Sequence, residues 1–183
     1  VGGPYREALC QACGELQSSI LPLLIPSPNQ KNESGIGREK WIVNPSAKTT
    51  THLDMYKYFG GLIGYAMRTG EFLNLDLPSI FWKKLLDVPV DRKDLESVDR
   101  YTIQCLDDIV NINKKGVSES NFSFVVEQKF TTCLSDGTEV ELQKGGKDIE
   151  VTYANRIKYC ELVEKIRLEE SNSQIKSIQN GLE

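Results

Sequence analysis

Apolar positions recur at helical spacing along most of the chain. Between Pro4 and Ser18, the residues Ala8, Leu9, Ala12, Cys13 and Leu16 fall on one face and predict a helix. Pro22, Pro26 and Pro28 then forbid helix, and the stretch to Gly37, rich in Pro, Asn, Ser and Gly, reads as loop. Trp41–Val43 reads as a short extended piece that stops at Asn44-Pro45, because proline holds the residue before it out of the helical region. A helix from Thr51 to Thr69 follows, with Thr51 and Asp54 placed as a capping box and Gly70 as a left-handed stop. Its apolar stripe is Phe59, Leu62, Ile63, Ala66 and Met67. Gly60, Gly61 and Gly64 lie inside it, each costing about 1 kcal/mol relative to alanine, so something is expected to pack very close to this backbone.

Asp76 is placed to cap a helix through Leu86, with Pro78 in its first turn and Phe81, Trp82, Leu85 and Leu86 on its buried side. A short helix over Arg92 to Ser97 comes next. Ser97 or Asp99 then starts a helix to Asn111 whose face is Tyr101, Cys105, Leu106, Ile109 and Val110. From Phe122 the period shortens to that of a strand. Phe122, Phe124, Val126 and Phe130–Cys133 read as extended, and Ser135-Asp136-Gly137-Thr138 as a hairpin turn. Glu139–Leu142 returns, and Asp148–Val151 follows as a third short strand. Asn155 then caps one long helix to Asn180, with Gly181 ending it. The pattern predicts an α+β fold, predominantly α-helical, with a small β insertion and a boundary within residues 111–120.

Bulk properties exclude more than they assign. A length of 183 residues suits one domain or a domain with a subdomain. A net charge of −4 and the lack of a basic run argue against nucleic acid as partner. No apolar run approaches the roughly 20 residues that span a bilayer, and no stretch of the given residues reads as a signal peptide. Val1, rather than Met, at the start is expected of an excised piece. Five irregularly spaced cysteines fit reduced thiols in an intracellular compartment. Cys10 and Cys13 lie three apart within a helix and lack a second ligand pair, which favours structural thiols over zinc or redox chemistry. His52 is the sole histidine, and none of the cysteines has a local motif that would pair with it for catalysis.

The helices at 97–111 and 155–180 and the strip between them carry apolar faces. A unit of about half the chain covers its core poorly. Tyr101, Ile109, Phe122, Phe124, Tyr159 and Val163 are therefore candidates for an exposed aromatic groove, with simple core as the alternative.

Several pieces resemble, in order and spacing, the N-terminal lobe of HECT ubiquitin ligases. They are Val1-Gly2-Gly3-Pro4-Tyr5-Arg6-Glu7, Leu23–Asn29, Trp41–Ser46, Phe59–Thr69, Leu75-Asp76-Leu77, Leu95–Asp99 and the helix start from Thr152 to Tyr159. The flavour is closest to the large members that carry RCC1-like repeats. The resemblance implies a helical N-lobe subdomain at 1–96 and a small E2-binding subdomain at 97–183 that contains a short β-hairpin. It implies docking of a ubiquitin-loaded E2 ubiquitin-conjugating enzyme on Thr102, Cys105, Leu106, Phe122, Phe124, Tyr159 and Val163. Ubiquitin would then pass to a cysteine of a C-lobe absent from this chain, so that no catalytic residue is assigned and the fragment alone is inactive. That cysteine sits in a Thr-Cys-Phe setting in the family, whereas Cys133 here follows Thr132 but precedes Leu134. The implied partners are an E2, ubiquitin, and a protein substrate held by regions outside the chain, with no cofactor and no metal, in the cytoplasm or nucleus. Substituting Tyr159 with Ala or Leu106 with Asp is expected to weaken E2 binding without unfolding. The alternative from another class is a helical interaction scaffold with an unrelated partner.

Overall fold

The computed structural model describes residues 3–182. Val1 and Gly2 of the glycine-rich opening, and Glu183, lie outside the described residues. Helix α1 (Gly3–Leu16) buries Leu9, Cys13 and Leu16 and leaves its other faces in solvent. The proline-rich stretch expected as loop contains two elements. Strand β1 (Leu24–Pro26) pairs antiparallel with β2 (Trp41–Val43), Leu24 opposite Val43 and Pro26 opposite Trp41. Both strands of a two-stranded ribbon are edges, where a missing N–H is tolerated. Pro28 opens the one-turn helix α2 (Pro28–Lys31), and Ser27 Oγ accepts the Gln30 N–H at 3.2 Å. Proline at a first helical position starts a helix because its N–H has no intrahelical partner to lose.

Helix α3 (Thr50–Thr69) is capped by Thr49, whose hydroxyl accepts the His52 N–H, so Thr51 lies inside the helix and its expected box with Asp54 does not form. Gly70 stops it at φ 68°, as the sequence predicts. Tyr56, Phe59, Ile63 and Ala66 point inward and Met67 points out. Tyr56 donates its hydroxyl to the Leu23 carbonyl at 2.6 Å, tying α3 to β1.

Helix α4 (Ser79–Leu85) has Pro78 at its cap position and no side-chain cap. The Asp76 backbone instead bridges Gln17 and Trp41. Phe81 and Leu85 are buried, while Leu86 is exposed and Trp82 partly so. Helix α5 (Arg92–Glu96) carries a full capping box between Asp91 and Asp94. Helix α6 (Arg100–Val110) starts at Asp99 and turns Ile103 and Leu106 inward, with Tyr101 on the outside rather than on the inner face.

Phe122–Phe124 forms a 3₁₀ turn, not an extended strip. The hairpin is as expected: β3 (Thr131–Cys133) pairs antiparallel with β4 (Glu139–Glu141) around a turn in which Gly137 takes φ 89°. The third strand shrinks to one bridge, Glu150 with Lys129, preceded by a 3₁₀ turn at Gly146–Asp148. Glycine is required at 146, where a Cβ would meet the Phe130 carbonyl oxygen at 2.3 Å.

The long final helix is two helices, α7 (Arg156–Glu169) and α8 (Asn172–Gly181). The weak helix formers Ser171-Asn172-Ser173 follow Glu170, whose carboxylate is engaged by Arg167 and Ser135. The break lets α8 cross α3 at backbone contact distance. Ile175 and Ile178 of α8 join Tyr56, Phe59, Ile63 and Phe81 in the first core. Residues 97–183 therefore do not pack as one unit, since α8 belongs to the helical part. A second core holds Leu106, Ile112, Phe122, Phe130, Leu142, Val151, Tyr159, Cys160 and Val163. A third consists of Ile42, Leu95, Val98 and Ile103.

Candidate functional site

Of the seven predicted docking residues, the fold brings Leu106, Phe122, Tyr159 and Val163 together, but as core. They are 3%, 2%, 4% and 2% exposed. Phe130 stands edge-on to Tyr159 with ring centres 5.7 Å apart, and Tyr153 edge-on to Phe122 at 5.9 Å. The groove expected from these four side chains is closed by the molecule's own interior. The 128–151 strip and Tyr153 fold over them, so the small subdomain covers its core better than its size suggests. Leu106→Asp or Tyr159→Ala would accordingly damage the core, contrary to the expectation that they leave the fold intact.

The other three remain accessible. Thr102 and Cys105 are half-buried on α6, and Phe124 is 84% exposed. The 3₁₀ turn explains the split between the two phenylalanines: it points Phe122 into the core and leaves Phe124 and Val125 in water. Tyr101 is also exposed, one turn before Cys105 on α6. Sequence reasoning placed Tyr101 on the apolar face of this helix and also among the candidates for an exposed groove; it is exposed, and Val125 was passed over. The spacing Ile103, Leu106, Val110 marks the inner face, which Cys105 flanks and from which Tyr101 points away.

The thiols divide by burial. Cys10 and Cys133 are exposed, Cys105 is intermediate, and Cys13 and Cys160 are buried. Burial pushes the Cys160 thiol up to about 11 and raises Cys13 as well. A nucleophile or metal ligand needs the thiolate, which these two do not supply near neutral pH. Among the described residues no group of three or more His, Cys, Asp or Glu side chains is arranged to hold a metal ion. No described helix is long and apolar enough to cross a membrane.

Clefts open elsewhere among the described residues. One of about 710 Å³ runs between the α4–α5 loop and α7 and α8, lined by Lys84, Val88, Pro89, Leu168, Ile175 and Gln179 among others. A mostly apolar one of about 280 Å³ lies between α1 and α3, against Leu16, Leu21, Met55, Tyr58 and Leu62. Neither includes any of the seven residues.

Comparison with known proteins bears on what such a surface serves. The family described as HECT-domain (ubiquitin-transferase) matches residues 17–183, leaving α1 ahead of the matched region. The chain is 32% identical to the E3 ubiquitin-protein ligase HERC2 of Mus musculus over 181 residues, which is 99% of this chain and 4% of that protein. The probable E3 ubiquitin-protein ligase HECTD4 of Homo sapiens is 32% identical over 184 residues, 92% of this chain and 5% of that protein. The E3 ubiquitin-protein ligase TOM1 of Saccharomyces cerevisiae is 30% identical over 173 residues, with shares of 93% and 5%. The chain thus spans 4–5% of the length of these relatives.

Proposed function

The chain belongs to the HECT-domain family of ubiquitin transferases, and from that premise we propose that it is the N-lobe platform on which a ubiquitin-loaded E2 docks. The parent protein would then pass ubiquitin through a thioester on a cysteine outside this chain, a form of nucleophilic covalent catalysis. The substrate would be held by regions outside the chain. No thiol described here has the setting for that step, and Cys13 and Cys160 are kept protonated by burial. The segment from Asp99 to the end of α7 would be the docking subdomain.

The observation that carries the reading is Phe124, 84% exposed on a turn whose neighbour Phe122 anchors it to the second core. An aromatic side chain held out of a rigid turn is costly to leave in water and suited to a partner's apolar surface. Thr102 and Cys105, with Tyr101, supply the accompanying face of α6. Leu106, Phe122, Tyr159 and Val163 act beneath it as the support. Each buried apolar anchor contributes about 1.5–3 kcal/mol before ordering costs, so a surface with few anchors gives a weak and transient complex. Such a complex suits a carrier that must leave to be recharged.

Titration of the chain with a panel of purified E2 enzymes, by NMR or calorimetry, tests this. Phe124→Ala should weaken binding about ten-fold or more with no change in thermal midpoint. Tyr159→Ala should instead lower the midpoint, because it opens the core. Absence of binding by every E2, or wild-type affinity in Phe124→Ala, would overturn the assignment.

A further inference from the structure

We propose that Arg167 is the positioning residue of the docking face: it locks the start of α6 and the β3–β4 turn onto α7 and so sets how Tyr101, Thr102 and Cys105 are presented. The inference rests on the docking role proposed above. The Arg167 side chain is 3% exposed, a depth at which a charge persists only when fully paired. Its Nη2 donates to Asp99 Oδ2 at 2.8 Å and to Ser135 Oγ at 2.9 Å. Its Nη1 donates to Thr102 Oγ1 at 3.2 Å and its Nε to Glu170 Oε2 at 3.1 Å. One planar fork thereby joins segments far apart in the chain.

Each of those partners is itself a structural junction. Asp99 caps α6, its Oδ1 accepting the Thr102 N–H at 3.0 Å and its Oδ2 the Thr102 hydroxyl at 2.7 Å. Ser135 donates its N–H and its hydroxyl to the Glu170 carboxylate, and its carbonyl accepts from Lys31 Nζ of α2 at 3.1 Å. On the other flank of the same entrance, the fully buried Asn29 accepts the Arg100 N–H at 2.8 Å and donates to the Ser97 carbonyl at 3.1 Å. Side chains from α2 and α7 thus hold the first turn of α6, the turn that carries Tyr101 and Thr102. A buried ion pair of this kind adds little net stability against an apolar substitute, so its use is more readily found in specifying one arrangement. Lysine keeps the charge but, as a single ammonium on a flexible stem, cannot span the same four acceptors.

The test uses the 183-residue chain and whichever E2 of a purified panel binds it most tightly. Arg167→Lys and Ser135→Ala are compared with wild type at a temperature where circular dichroism shows each folded. Both are expected to raise Kd five-fold or more and to change the residual dipolar couplings of α6 amides relative to those of α3. A residue that only adds stability would lower the thermal midpoint and leave Kd and the couplings unmoved, and that result overturns the proposal. Should Arg167→Lys fail to fold, Ser135→Ala decides on the same two readouts. If wild type binds E2 and the variants bind equally, this inference alone falls. If wild type binds none of the panel, the docking role falls and takes the inference with it.

Discussion

Gly60 and Gly181 sit where α3 and α8 touch backbone to backbone. A Cβ on Gly60 would lie 1.9 Å from the Ile178 carbonyl oxygen, and one on Gly181 would lie 1.8 Å from that of Lys57. Neither oxygen belongs to a flexible side chain, so the helices themselves must part. Gly60→Ala should destabilise the chain by at least about 1–3 kcal/mol, read as a drop of several degrees in thermal midpoint. Gly61→Ala is the contrast. Its nearest atom would be 3.5 Å away, an ordinary contact, and alanine gains helix propensity of about 1 kcal/mol, so its midpoint should hold or rise. The close approach expected over Gly60, Gly61 and Gly64 is found at Gly60 and Gly64 and not at Gly61; it was legible because helices do not retain clustered glycines without a neighbour that needs them. The role of Gly181 was not legible. A glycine near a helix end reads as a stop, and only the partner helix reveals it as a contact point.

Several elements announced by local chemistry appear where the sequence puts them, although the caps expected at Thr51 and Asp76 do not form. The Asp99 cap, Gly70 and the Ser135–Thr138 turn all act within a few residues, so nothing distant is needed to place them. The Asp91–Asp94 box is equally local, but the sequence reading placed only the helix and not its cap. Asp91→Ala should cost about 1 kcal/mol, since it strips α5 of both capping hydrogen bonds to the Lys93 and Asp94 N–H groups, and equilibrium urea unfolding would register it. Elements misread are those decided from outside. Phe122-Ser123-Phe124 alternates like a strand, yet the 3₁₀ turn seats one phenylalanine and frees the other. The helix from Asn155 breaks after Glu169 because Arg167 and Ser135 claim Glu170 and because α8 has α3 to cover. Pro26 and Pro28 were read only as breakers, although an edge strand and a first helical turn both accommodate them.

The cores, taken across the whole molecule, set which groups titrate and which react. Cys160 lies in the second core, and burial moves its thiol from 9.0 to about 11. The folded state therefore resists its ionisation while the unfolded chain does not. Stability from this group is complete below pH 9 and is lost as pH rises from 9 toward 11. Urea midpoints measured over that range should fall, and the fall should be shallower in Cys160→Ala than in wild type, whatever the variant's lower starting point. The same burial closes the groove expected at Leu106, Phe122, Tyr159 and Val163, and it moves the docking proposal onto Phe124 and the outer face of α6.

Periodicity, caps and turn residues by themselves determined that this is a mostly helical α+β chain with one hairpin, and the ordered motifs determined its family. Those signals are local or strictly sequential, and a single chain carries them in full. Tertiary structure alone decided which apolar residues of the small subdomain are wall and which are surface, where the last helix divides, and which charges meet at Arg167. Each of these depends on segments tens of residues apart competing for the same interior, and spacing along one segment cannot report what another brings to cover it.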